Sequence, residues 1–143
     1  MKKCIILLFI ILPFLTINAQ NELEPLINVE YISNIGYGCE ETPEPDPCAG
    51  VQMYLILKFT EESVSIIEKD ISSCGSEYIT CELEYKWEMS NNNEITIQSN
   101  PKEIEYKFLK DLVLKIENKK MVGYKKYWNN RIKKIIFEKN SEK

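Results

Sequence analysis

From Val51 onward, apolar and polar residues alternate with a period of two, the spacing of a strand that buries one face. The clearest run is Ile79, Cys81, Leu83, Tyr85, Trp87 and Met89, which alternates with Thr80, Glu82, Glu84, Lys86 and Glu88. The same rhythm puts Leu55, Leu57 and Phe59 on one side of a strand, then Ile95 with Ile97, Ile104 with Tyr106 and Phe108, and Leu112 with Leu114 and Ile116. Ile27 to Tyr37 supplies a first strand and Arg131 to Glu138 a last one. Turn-forming residues separate these runs at Thr60 to Ser63, Ser72 to Ser76, Asn91 to Asn93, Ser99 to Lys102, Asn118 to Lys120 and Asn129-Asn130, all hairpin-length connections. Short strands joined this way predict an all-β, antiparallel up-and-down meander of about eight or nine strands, and closure into a small barrel removes its exposed edges.

The first residues follow a different pattern. Lys2 and Lys3 precede an apolar run from Ile5 to Ile17, interrupted only by Pro13 and Thr16, and Ala19 ends the segment with a small side chain. The run is 13 residues long, whereas a helical membrane span needs about 20. Residues 1–19 are therefore expected to be a cleaved signal peptide, followed by one β domain over residues 20–143. Lipid attachment would need a cysteine just after the run, and Cys4 lies before it. The expected destination is the periplasm or the medium, with no stable membrane anchor.

Charge sharpens the picture, because the formal net of −4 conceals a division. Residues 20–100 carry 16 acids against Lys58, Lys69 and Lys86, whereas residues 101–143 carry 12 lysines and Arg131 against 6 acids. A basic face of this kind suits an anionic surface. The reading preferred from sequence is that acidic early strands and basic late strands pair across the closed sheet, where opposite charges stabilise one another. Export also argues against a nucleic-acid partner.

Four cysteines remain after processing: Cys39, Cys48, Cys74 and Cys81. An even number in an exported chain predicts two disulfides, with three connectivities open. The simplest is Cys39 with Cys48, stapling the proline-rich acidic loop Glu40 to Pro47, and Cys74 with Cys81. A crossed pairing is required if the Cα atoms of Cys74 and Cys81 stand more than about 7 Å apart. No metal site is expected, since neither spacing is C-x-x-C, the chain has no histidine, and the loop carboxylates lack the ordered pattern of an EF-hand.

The absence of histidine also removes the commonest general base and the usual nucleophilic triads. Glu82 and Glu84 share one side of a strand but read as an exposed polar face rather than an acid and base pair. There is no nucleophile elbow and no phosphate-binding glycine loop. The chain is accordingly expected not to be an enzyme and to carry no cofactor.

Leu57-Lys58-Phe59-Thr60 with Val64 and Ile66, Tyr85-Lys86-Trp87, Asn93-Glu94-Ile95, Leu112-Val113-Leu114, Gly123 and Ile135-Ile136-Phe137 together resemble the small lipocalin-like domains of many exported bacterial proteins, over residues 27–138. The Gly-x-Trp of classical lipocalins is missing, and Asn34-Ile35-Gly36-Tyr37-Gly38 stands in its place. The resemblance implies a calyx-like barrel and, by analogy, a small apolar ligand. The expected interior residues are Leu83, Tyr85, Trp87, Phe108 and Leu114, around either a cavity or a core filled by the barrel's own side chains. The alternative is an envelope protein-interaction module, such as an inhibitor or a toxin-neutralising immunity factor. Its contact surfaces would be the acidic loop Glu40 to Asp46 and the aromatic, basic end at Tyr124, Tyr127 and Trp128.

Overall fold

The computed structural model describes residues 26–39, 43–44, 46–98 and 106–140. The expected leader lies outside them. Eight antiparallel strands follow one another as β1 (Glu30–Cys39), β2 (Gly50–Phe59), β3 (Ser63–Ser72), β4 (Glu77–Met89), β5 (Glu94–Gln98), β6 (Leu112–Glu117), β7 (Lys120–Lys126) and β8 (Ile132–Asn140). Each pairs with its sequence neighbours, and β8 returns to β1, so the meander closes into a barrel.

Alternation builds the interior as expected on most strands. Leu55, Leu57 and Phe59 of β2, Val64 and Ile66 of β3, Ile95, Leu114, Met121, Ile135 and Phe137 are all buried. Gly123 of β7 faces inward where no side chain fits, since a Cβ there would stand 3.0 Å from Leu112 Cδ1 and 3.1 Å from Phe137 Cε2. Turns use the residues they require: Asn118 and Lys119 join β6 to β7 with φ of 51° and 64°, the geometry of a two-residue type I′ hairpin.

Three expectations are corrected. On β4 the apolar alternation does not reach Ile79, which is 65% exposed. Glu68 pairs with Cys81 and Lys69 with Ile79, so Thr80 is an extra, bulged residue that turns Ile79 to the outer side. The strand expected at Ile104, Tyr106 and Phe108 is not formed by its described part. Lys107–Leu109 is a single 3-10 turn, closed by Leu109 N donating to Tyr106 O at 2.9 Å.

The cysteine pairing is the third. Cys48 is bridged to Cys74, with Cα atoms 5.1 Å apart, and Cys39 and Cys81 are free thiols. Neither expected pair, Cys39 with Cys48 or Cys74 with Cys81, is formed. The reason is register: Val51 lies opposite Ser72, so the residues before β2 meet those after β3. Ser73 N donating to Gly50 O at 2.7 Å extends that contact beyond the strands. Cys81 points into the barrel, out of reach of the turn that carries Cys74.

Candidate functional site: the open end of the barrel

The two ends of the barrel are built differently. At the end holding the β2–β3, β4–β5 and β6–β7 turns, Leu26 plugs the interior and is 1% exposed. Ile27 bridges to Phe59, and Asn28 N donates to Phe59 O at 2.8 Å. The rings of Tyr31 and Trp87 meet Phe59 edge-on at 6.2 and 5.0 Å between centroids. Trp87 Nε1 satisfies its donor on Thr60 O at 2.9 Å, so the indole is both packed and bonded.

At the opposite end the interior opens into a cavity of about 520 Å³. Ile35, Met53, Leu83 and Phe108 give it apolar walls, together with Cys81. Ile35 reaches it because of a second bulge, where Asn34 pairs with Tyr54 but Gly36 with Met53. Of the five residues expected from sequence, Leu83 and Phe108 line this cavity. Tyr85, Trp87 and Leu114 belong instead to the packed core beneath it.

Four polar residues complete the wall: Glu68, Tyr106, Lys107 and Lys125. Tyr106 donates its hydroxyl to Glu68 Oε2, and its backbone N–H donates to Tyr85 Oη at 3.2 Å. Burial, and then the bond to Glu68, push the Tyr106 phenol far above its ordinary range. Lys125 donates to Phe108 O at 2.8 Å and to Lys110 O, and its ammonium lies 5.1 Å from the Phe108 ring centroid. Burial pushes this lysine below its ordinary value. The 3-10 turn is thus fastened to the barrel from both sides, by Glu68 and by Lys125.

Next along β3, Asp70 also follows the inward phase, opposite Met53 and Tyr78. Its Oδ1 is buried and has no hydrogen-bond partner among the described residues. Burial first, then the neighbouring Glu68 charge, raise its pKa, and the same two causes raise that of the Cys81 thiol. Sequence reading missed Glu68 and Lys125, although a signal was present. Val64, Ile66, Glu68 and Met121, Gly123, Lys125 each place a charge on the apolar phase of an inward alternation.

Outside the barrel, Glu82 and Glu84 are exposed as expected, and Glu84 accepts from Ser63 Oγ. The expected cross-sheet neutralisation is largely not realised. Of the ion pairs among the described residues, Lys115 with Glu94 joins the acidic and basic parts of the chain, while Lys58 with Glu30, Lys69 with Glu77 and Lys134 with Glu117 stay within one part. A meander explains this, because early and late strands meet only at the β5–β6 and β8–β1 seams. At the latter, Tyr31 faces Lys139 and Ile32 faces Glu138, so no opposite charges come face to face.

Fold and site together define a closed, eight-stranded antiparallel barrel that, among the described residues, is packed at one end and holds a cavity at the other. Comparison with protein families, with curated proteins and with solved structures returns no match.

Proposed function

We propose that this chain is an exported, non-enzymatic, lipocalin-like binding protein whose open end takes up a small, mostly apolar molecule. The observation that supports this reading is the cavity of about 520 Å³ among Ile35, Met53, Leu83 and Phe108. Pockets for small ligands span about 300 to 1,000 Å³, with apolar walls and a few polar groups that fix orientation. Glu68 and Lys125 are such groups here. The Cys48–Cys74 bridge fits export to an oxidising compartment.

Native mass spectrometry of protein purified gently from its own host tests the proposal, together with titration by a hydrophobic fluorescent dye. A bound mass or dye binding is expected, and Leu83→Trp, which fills the cavity, should abolish it while the β-sheet circular dichroism is retained. A clean apo mass with no dye binding overturns it.

A second reading is favoured by a different observation. Tyr37, Tyr78 and Ile79 are 82%, 58% and 65% exposed on β1 and β4 near the acidic loop, a density of bare apolar side chains suited to a protein partner such as a toxin. A stable complex lost on Tyr37→Ala, with the cavity empty, would favour an inhibitor or immunity factor over a carrier.

A further inference from the structure

The exposed large apolar side chains of the described residues are Tyr37, Tyr78, Ile79, Val113, Trp128, Ile132 and Ile136. All except Ile136 lie at the open end, near the end of β1, at the start of β4, β6 and β8, or in the β7–β8 turn. The turns of the sealed end present Thr, Ser, Glu, Asn and Lys instead. Water-exposed apolar groups gathered at one pole of a barrel mark a contact surface.

The pole is divided by charge. On the arc formed by the β1–β2 loop and the start of β4 stand Glu44, Asp46 and Glu77. On the arc formed by residues 106–113 and 126–133 stand five cations, Lys107, Lys110, Lys126, Arg131 and Lys133, against the single acid Asp111. None of these five is in an ion pair among the described residues. Lys134, one turn of the pleat lower, is by contrast spent on Glu117 at 3.0 Å.

At the centre of the basic arc is the β7–β8 turn. Tyr127 N donates to Arg131 O, and Asn130 N to Tyr127 O, both at 2.9 Å, which fixes the turn and pushes Trp128 off its tip. The indole is 94% exposed. Beside it, Lys126 pairs with the exposed Ile132. A bare tryptophan with an isoleucine and a ring of unpaired cations is the chemistry of a membrane interface, where indole seats among headgroups and Lys and Arg meet anionic lipid.

We propose that the β7–β8 tip and the adjoining 3-10 turn dock the barrel reversibly on an anionic phospholipid surface, with Trp128 inserted and Lys126 and Arg131 on the headgroups. The occupant is a bilayer rather than an acidic protein because the indole, 94% exposed, stands out at the tip of a turn beside Lys126, Arg131 and Lys133, which form no ion pair among the described residues, the pairing of an interfacial ring with headgroup-binding cations. The docked face includes Lys107 and Phe108 of the cavity wall, so the mouth lies at the membrane. This inference goes beyond the cavity reading and does not depend on what the cavity holds.

The test is sedimentation of the oxidised, processed protein with vesicles of phosphatidylcholine alone and of phosphatidylcholine mixed with phosphatidylglycerol. Binding to the mixed vesicles only is expected, weakening as salt rises. Trp128→Ala should lower the partition by about tenfold as its apolar surface is withdrawn from the interface, and Arg131→Glu by more than about fivefold, the effect of one surface cation. Both positions are exposed, so circular dichroism should be unchanged. Tyr37→Ala, on the acidic arc, should bind as the parent does. Equal binding to neutral vesicles, unchanged binding of Trp128→Ala, a loss on Tyr37→Ala as large as that on Trp128→Ala, or a protein partner held through Trp128 without any vesicle binding would each overturn the proposal.

Discussion

The sealed and open ends of this barrel are made from the same strands, yet they are held together by different means. At the sealed end Phe59, Trp87, Tyr31 and Leu26 pack ring against ring, and the turns around them are polar. At the open end the Cys48–Cys74 bridge, the Glu68–Tyr106 bond and the grip of Lys125 on two carbonyls hold the rim instead. An end that keeps a cavity gives up the apolar contacts that would fill it. Covalent and polar ties take their place, leaving the mouth free for other uses.

The largest expected effect falls at the sealed end. Phe59 is fully buried against two aromatic rings, so Phe59→Ala should cost about 3 to 5 kcal/mol in urea denaturation. A loss below about 1 kcal/mol would mean that this end is not the packed one. Next comes the open end's staple. Cys48 and Cys74 are 26 residues apart in sequence, and Cys74→Ser should lower stability by about 3 kcal/mol through the less restricted unfolded chain. Peptide mapping without reduction should recover the Cys48–Cys74 link, with Cys39 and Cys81 as free thiols.

Smaller is the gain expected at a sealed-end turn. Lys119 holds a φ of 64°, a left-handed conformation that glycine adopts without a Cβ clash, and Lys119→Gly should raise stability by about 0.5 to 1 kcal/mol. The smallest effect is a slope. Burial and Glu68 raise the Asp70 pKa above its ordinary 3.8. The folded protein therefore binds this proton more readily than the unfolded chain. The group's contribution to stability is full below 3.8 and is lost as pH rises through the raised folded value. Asp70→Asn should flatten that part of the pH profile of urea midpoints above the ordinary carboxylate value.

Much of the barrel was legible because period-two alternation and turn chemistry are local. Leu55, Leu57 and Phe59, or Asn118 before Lys120, needed no knowledge of distant strands. Where the reading failed, the deciding information was non-local. Ile79 lies outside because Thr80 is bulged against Glu68, and a bulge is a property of two strands. The cysteines pair by the β2–β3 register rather than by nearness in sequence, and cross-sheet neutralisation failed because a meander keeps the early and late strands apart. The cavity lies in between. Leu83 and Phe108 were legible as inward residues, but nothing in a strand pattern distinguishes them from Trp87 and Leu114, which are packed. Glu68 and Lys125 carried the better signal, as charges on an apolar phase.

The β8–β1 seam has a consequence for how the chain acquires this shape. Every other strand pairing joins neighbours in sequence, whereas this one brings Glu30 beside Asn140, linked by a side-chain hydrogen bond across 110 residues. The β2–β3, β3–β4, β4–β5, β6–β7 and β7–β8 hairpins close over short turns, but this pairing must overcome the closure entropy of nearly the whole domain and returns only three register pairs, Glu30 with Asn140, Tyr31 with Lys139 and Ile32 with Glu138. Loop-closure entropy thus favours the local hairpins forming first and the β8–β1 seam last.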